Sequence, residues 1–188
     1  MRFTPLIIAI VLIGCSDDRK TILPAVVIDS DTRPAFTLDV SKPFVIEFGR
    51  GSGWHGLDVI KIDGTGAVEL HRIASGANIE AAWLRLSDAQ KKELADLVNA
   101  QRLTSMGRTY TQPDVADGTQ WVLWIQQMTM EKSVYFNNAF PTEIKAFAAG
   151  LDGLLENAGL SKASWTLIPN QQGIDQQAAV WARIQPAK

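Results

Sequence analysis

Few residues of this chain are of kinds that perform chemistry, and their spacing limits what they can do. Cys15, His55 and His71 are its only cysteine and histidines. A lone cysteine forms no internal disulfide, and a structural zinc site normally takes about four Cys or His ligands. No metal and no cofactor are therefore expected. Gly49-Arg50-Gly51-Ser52-Gly53 lacks the Gly-Lys-Ser/Thr ending of a phosphate loop. It is not a nucleophile elbow either, because that motif joins a strand to a helix and strand-like runs flank this one. Asp63-Gly64-Thr65-Gly66 reads as a hairpin turn rather than a protease loop, since Gly64 breaks the protease order and no second copy exists. Asp114-Val115-Ala116-Asp117-Gly118 would need further oxygen ligands to hold calcium and reads as a turn into a strand. His71, within a strand-like run, is expected at a surface or rim position. No catalytic residue emerges, and an enzyme would need an Asp/Glu/His site assembled only by the fold. What remains is recognition chemistry. Arg50, Trp54 and His55 put a cation, an aromatic platform and a titratable ring into one loop, residue types that concentrate binding energy at interfaces. Gly49, Gly51, Gly53 and Gly56 around them would let the backbone approach another surface closely. The competing expectation is a Trp54 tucked onto the core as a lid.

The start of the chain carries a different chemistry. Arg2 is followed by the unbroken apolar run Leu6–Ile13. As a helix this run spans roughly 12 Å, far short of the ~30 Å hydrocarbon core. It reads as the apolar stretch of a signal peptide, residues 1–14. Leu12-Ile13-Gly14-Cys15 resembles the lipobox of bacterial lipoproteins, and polar Ser16-Asp17-Asp18-Arg19-Lys20 follows at once. The resemblance implies cleavage between Gly14 and Cys15 and acylation of the Cys15 thiol. Acyl chains contribute ~0.8 kcal/mol per buried CH₂, which makes such attachment effectively permanent. Ser16, rather than Asp, after the cysteine favours the periplasmic face of the outer membrane over the inner membrane. Residues 15–42, polar and interrupted by Pro24 and Pro34, read as the lipidated cysteine and a flexible tether of roughly 30 Å reach. Ala25–Ile28 is the one stretch there with the look of an edge strand.

Residues 43–188 read as a single α+β domain. Phe44–Phe48, Leu57–Ile62 and Ala67–Ile73 alternate like strands, the last two joined by an Asp-Gly turn. Ser87 with Gln90 forms a capping box ahead of Leu94, Leu97 and Val98. Thr119–Gln126 and Lys132–Phe136 form a second hairpin. Trp121, Leu123 and Ile125 lie on one of its faces, and Val122, Trp124 and Tyr135 on the other. Pro141 opens a second helix whose stripe runs Ile144, Phe147, Ala148, Leu151, Leu154, Leu155 and ends at Gly159. Trp165–Ile168 adds a strand, and Asn170–Arg183 a further helix. The expected fold is an antiparallel sheet of about five or six strands with two main helices on one face. Its order is β-β-β-α-β-β-α, then β and α. The face bearing Trp124 is either covered by the C-terminal tail or left open as an aromatic patch.

Phe-x-Arg-Gly-x-Gly, the I-D-G-T-G-x-V hairpin, Leu-Ser-x-x-Gln-x-x-x-Leu, D-G-x-x-W-x-x-x-I and V-Y-F-x-N-x-x-P-x-x-I, between Phe44 and Leu155, resemble an uncharacterised domain family of bacterial lipoproteins. Many members carry a cysteine pair in the glycine loop, and this chain has none there. The loop-hairpin-helix-hairpin-helix plan is also similar to emfourin-type inhibitors of thermolysin-like metalloproteases, whose protease-facing segment would correspond to Gly51–Gly56. Neither resemblance implies a catalytic residue. A formal charge of −2 lacks the clustered basic surface of a nucleic-acid binder. Lys91-Lys92, the longest basic run after the signal, reads as a solvated helix face. The leading expectation is a non-enzymatic, lipid-anchored module that binds the bilayer through Cys15 and an envelope protein or ligand through its domain.

Overall fold

The computed structural model describes residues 26–52, 56–74, 78–112, 115, 118–169 and 182. Among them, nine strands form one sheet: β1 (Val27–Asp29), β2 (Phe44–Ser52), β3 (Gly56–Asp63), β4 (Ala67–Ile73), β5 (Ile79–Arg85), β6 (Thr109–Thr111), β7 (Thr119–Gln127), β8 (Met130–Asn137) and β9 (Thr166–Ile168). Helices α1 (Asp88–Ala100) and α2 (Thr142–Asn157) complete the fold. The spatial order is β1-β6-β8-β7-β2-β3-β4-β5-β9, antiparallel except where β6 meets β8. Strand β2 lies at the centre, paired along its length with β3 and β7.

Alternation decides the two faces. Phe44, Ile46 and Phe48 of β2, Ile60 and Ile62 of β3, and Leu123 and Ile125 of β7 point to one side. There they meet Leu94 and Val98 of α1 and Ile144, Phe147, Leu151, Leu154 and Leu155 of α2 in one core. Both helices therefore cover the same face, as expected. Ser87 caps α1 with the anticipated box, and Gly159 ends α2 in a left-handed conformation at φ +100°. Pro141 stands at the cap of α2, one residue before its first turn. In the β3–β4 turn the positive φ falls on Gly66, at +85°, while the Asp63 carboxylate accepts from the Thr65 amide at 2.8 Å.

The sheet is larger than the five or six strands expected, for local reasons. Strand β5 reads Ile-Glu-Ala-Ala-Trp-Leu-Arg, and Ala and Glu are weak strand formers that hide its alternation. Strand β6 is three residues, too short for a period to show, and the equally short β1, expected only as a stray edge strand in the tether, joins the sheet. The expected tether, residues 15–42, is also corrected: its described part belongs to the domain. β1 pairs with β6 at one edge of the sheet. Beyond it, side chains hold the backbone of the strap Phe36–Asp39. Thr104 Oγ1 donates to the Phe36 carbonyl and accepts from its amide. Asn99 brackets Leu38, accepting from its amide at 2.8 Å and donating to its carbonyl at 3.0 Å. Gln127 does the same for Asp39. Leu38 drops into the core at 3% exposure.

On the second face Leu57 and Val122 are fully buried and Trp124 is 8% exposed, so this half is not an open aromatic patch. The tail invoked to cover it, Asn170–Arg183, lies outside the described residues apart from Ala182, as does the further helix expected there. Among the described residues no helix is long and apolar enough to cross a membrane.

Candidate functional site

The other half of the second face is open, and its chemistry comes from one cross-strand row. Trp83 of β5 lies opposite Glu69 of β4, Glu69 opposite Lys61 of β3, Lys61 opposite Glu47 of β2, and Glu47 opposite Trp124 of β7. The row begins exposed and ends buried. Trp83 keeps 58% of its surface, whereas Glu47 keeps 4%. Directly opposed residues on neighbouring strands sit about 5 Å apart, so Lys61 is roughly 10 Å from Trp83 across the sheet. Arg85, two residues along β5, is exposed on the same face.

Hydrogen bonds sort the charges around the indole. Glu69 shares a 3.0 Å contact with His71 Nε2. Asp63 accepts from the Thr65 amide and hydroxyl at 2.8 and 2.6 Å in its own turn, and its charge also interacts with Lys61. Exposed Arg85 stands beside Trp83, while Lys61 lies beyond Glu69. An indole on a rigid strand with a cation at its rim combines residue types that concentrate binding energy at interfaces. Among the described residues no three His, Cys, Asp or Glu side chains converge to hold a metal ion. His71 is more enclosed than a rim residue, with its side chain 11% exposed. A separate groove of about 240 Å³, lined by Phe36, Thr37, Asn99, Arg102 and Thr104, is polar, and Asn99 and Thr104 already serve the strap there.

The residues singled out from sequence fall differently. Arg50 sits on the helix face, where Nη1 and Nη2 bond the two Asp152 oxygens at 2.8 and 2.7 Å. Its guanidinium lies 5.5 Å from the Phe48 ring centroid. Gly49 and Gly51 belong to β2 rather than to a loop. A Cβ on Gly49 would lie 2.6 Å from a Val122 methyl, and one on Gly51 would lie 1.9 Å from the Gly56 carbonyl oxygen. Gly49 serves the close approach of β7 and Gly51 that of the β2–β3 hairpin, and the connection shrinks to residues 53–55. Trp54, His55, Gly14, Cys15, Asp114 and Asp117 lie outside the described residues. Trp83 was missed because it belongs to the strand whose alternation is hidden. Of the four described tryptophans it alone is mostly exposed: Trp121 packs on Phe48 and Phe140, Trp124 is buried, and Trp165 lies under Arg72 at 4.0 Å. Lys91 is less solvated than expected, its side chain 17% exposed over the β3–β4 turn, whereas Lys92 is 71% exposed.

A second cluster also escaped the sequence reading. Lys132 of β8 has a side chain 3% exposed and donates to Asp31 at 3.0 Å and to the Met106 carbonyl. Arg33 grips the same Asp31 carboxylate from Nε and Nη2, with Nη2 at 2.8 Å, and reaches Glu131 with Nη1 at 3.0 Å. The Arg33 hydrogen bonds hold the Asp31 carboxyl well below the usual carboxylate range, against the opposing effect of burial. Burial pulls Lys132 down from the ordinary lysine value. The charges 101 residues apart make this a buckle that closes the N-terminal segment onto the sheet.

The chain matches no protein-family model and no curated protein.

Proposed function

We propose that this protein is a non-enzymatic binding module of the bacterial envelope, anchored by lipid on Cys15 and engaging its partner through the face around Trp83. One observation carries the binding reading: a tryptophan 58% exposed in the middle of a paired strand, where its backbone is rigid and the other described tryptophans are packed. Tryptophans in such settings concentrate interface energy, because a large amphipathic ring is desolvated at little conformational cost. Arg50, by contrast, is engaged with Asp152, which lessens the support for an inhibitory glycine loop. The anchor rests on the signal-like run and lipobox of residues 6–15, with the outer membrane favoured by Ser16. Partners on this reading are the bilayer and an envelope protein or ligand, not nucleic acid.

The test places a photo-crosslinking benzoylphenylalanine at Trp83 in the full chain within its native envelope, with Lys92 on α1 as the exposed control. A discrete adduct of one mass at position 83, absent at position 92, is the expected result. No adduct at 83, or the same products from both positions, would defeat the assignment of this face.

A further inference from the structure

We propose that the outer edge of β5 receives an acidic extended peptide as an additional strand beside Trp83; this rests on the binding-module reading and names its partner class. The backbone pattern identifies the edge. The Leu86 amide donates to the Gly66 carbonyl at 2.8 Å, which makes Gly66 and Leu86 a hydrogen-bonded pair. In an antiparallel ladder bonded pairs alternate with non-bonded ones. Val68 with Leu84 and Leu70 with Ala82 are therefore bonded inward, while Trp83 and Arg85 direct their amides and carbonyls outward. Strand β9 satisfies that outward side only from Ile79 to Ala81. Its ladder stops at Thr166, and Trp165 lies against the Arg72 guanidinium at 4.0 Å, on the helix side of the sheet. Among the described residues, no strand continues the ladder past Trp83 and Arg85.

An unpaired strand edge selects its occupant by main-chain chemistry, since only an extended backbone offers donors and acceptors at the matching spacing. The side chains then set the sequence it accepts. On the second face the bound residue beside Trp83 meets an exposed indole, which suits an aromatic or β-branched side chain. The residue two places along meets the exposed cation Arg85. A carboxylate fits there as a charge-assisted partner. On the helix side the intervening residue meets half-buried Leu84, and so is apolar. Natural sheets usually blunt such edges. Here β9 covers one end and leaves the end that carries the indole.

The test uses the full chain extracted in detergent and a blocked heptapeptide alternating glutamate with valine and phenylalanine, with a lysine-for-glutamate version as control. Amide exchange should slow about tenfold or more at Trp83 and Arg85 on adding the glutamate peptide, while the inward-bonded Leu84 amide is unchanged. The glutamate peptide should bind at least about tenfold more tightly than the lysine one, and Arg85→Glu should reverse that order. Trp83→Ala should weaken binding by about tenfold or more. Because Arg85 is a surface residue, its variant keeps the test decisive even if Trp83→Ala fails to fold. Unchanged exchange at Trp83 and Arg85, or unchanged peptide preference in Arg85→Glu, would overturn the proposal. So would protection that grows with protein concentration in the absence of peptide, which would assign the edge to a second copy. A crosslinked partner at position 83 without peptide protection would overturn strand addition and leave the binding reading standing.

Discussion

Asp31 is the residue on which the N-terminal segment turns. Its carboxylate answers two cations, Lys132 and Arg33, in a setting where it is 6% and Lys132 3% exposed. Removing one member of a buried ion pair costs about 3–5 kcal/mol, because a charge is left without its counter-ion. Asp31→Ala should lose stability in that range, and Asp31→Ala with Lys132→Met should recover most of it, since a thioether of similar length needs no partner. Urea unfolding of the three proteins measures this, and equal losses in the single and double variants would show that the ion pair is not what holds the segment. The pH dependence follows from the sign of the shift. The folded-state value of Asp31 is depressed below the unfolded one of ~3.9, so its contribution is complete above that pH and is lost as acidification proceeds toward the depressed value. The stability gap between wild type and Asp31→Asn should therefore be constant from neutrality down to about pH 5 and should narrow below about pH 4. A gap that widens on acidification would contradict the pairing.

Glycine has opposite meanings on different elements. Gly51 lies where β2 and β3 close on each other, and a Cβ there would meet the Gly56 carbonyl oxygen at 1.9 Å. That contact is with backbone, which cannot swing aside, so Gly51→Ala should destabilise the hairpin by about 1–3 kcal/mol. Gly153 is exposed inside α2 and a Cβ there would meet nothing within 4 Å. Gly153→Ala should stabilise by about 0.5–1 kcal/mol, because alanine loses less conformational freedom on entering a helix. Thermal melts of the two variants should shift in opposite directions. Shifts of the same sign would mean that α2 or the hairpin packs otherwise. Helices of this sequence were legible from their stripes, and so was the hairpin closed by Asp63–Gly66. Strand β5 was not, because Ala81 and Ala82, though fully buried, carry too little hydrophobic weight of their own to mark an alternation.

At the scale of the molecule, the folded part begins well before Phe44. Twelve peptide steps separate Cys15 from Val27, a span of at most ~40 Å when fully extended. A lipid on Cys15 would therefore hold the β1 edge close to its bilayer. On this reading Cys15→Ser should incorporate no labelled palmitate and should retain residues 1–14, seen as a larger intact mass. Equal labelling of mutant and wild type would end the lipoprotein assignment, leaving the sheet-face proposals to stand by themselves.

Local pattern alone determined the α+β class, the five long strands other than β5, both helices with their caps, and the Leu12–Cys15 signature. Each of these is written in consecutive residues, as a period or as a cap, and needs no distant partner to be recognised. The tertiary structure decided the rest. It set nine strands among the described residues instead of five or six, recruited residues 27–42 into the domain, consigned Arg50 to Asp152 and left Trp83 exposed. These outcomes depend on which residues meet across gaps of up to about a hundred positions, as Lys132 meets Asp31. Whether a tryptophan is core or surface is likewise settled by what packs over it, and nothing in a strand's own alternation tells which of the sheet's two faces, or which half of a face, will be covered.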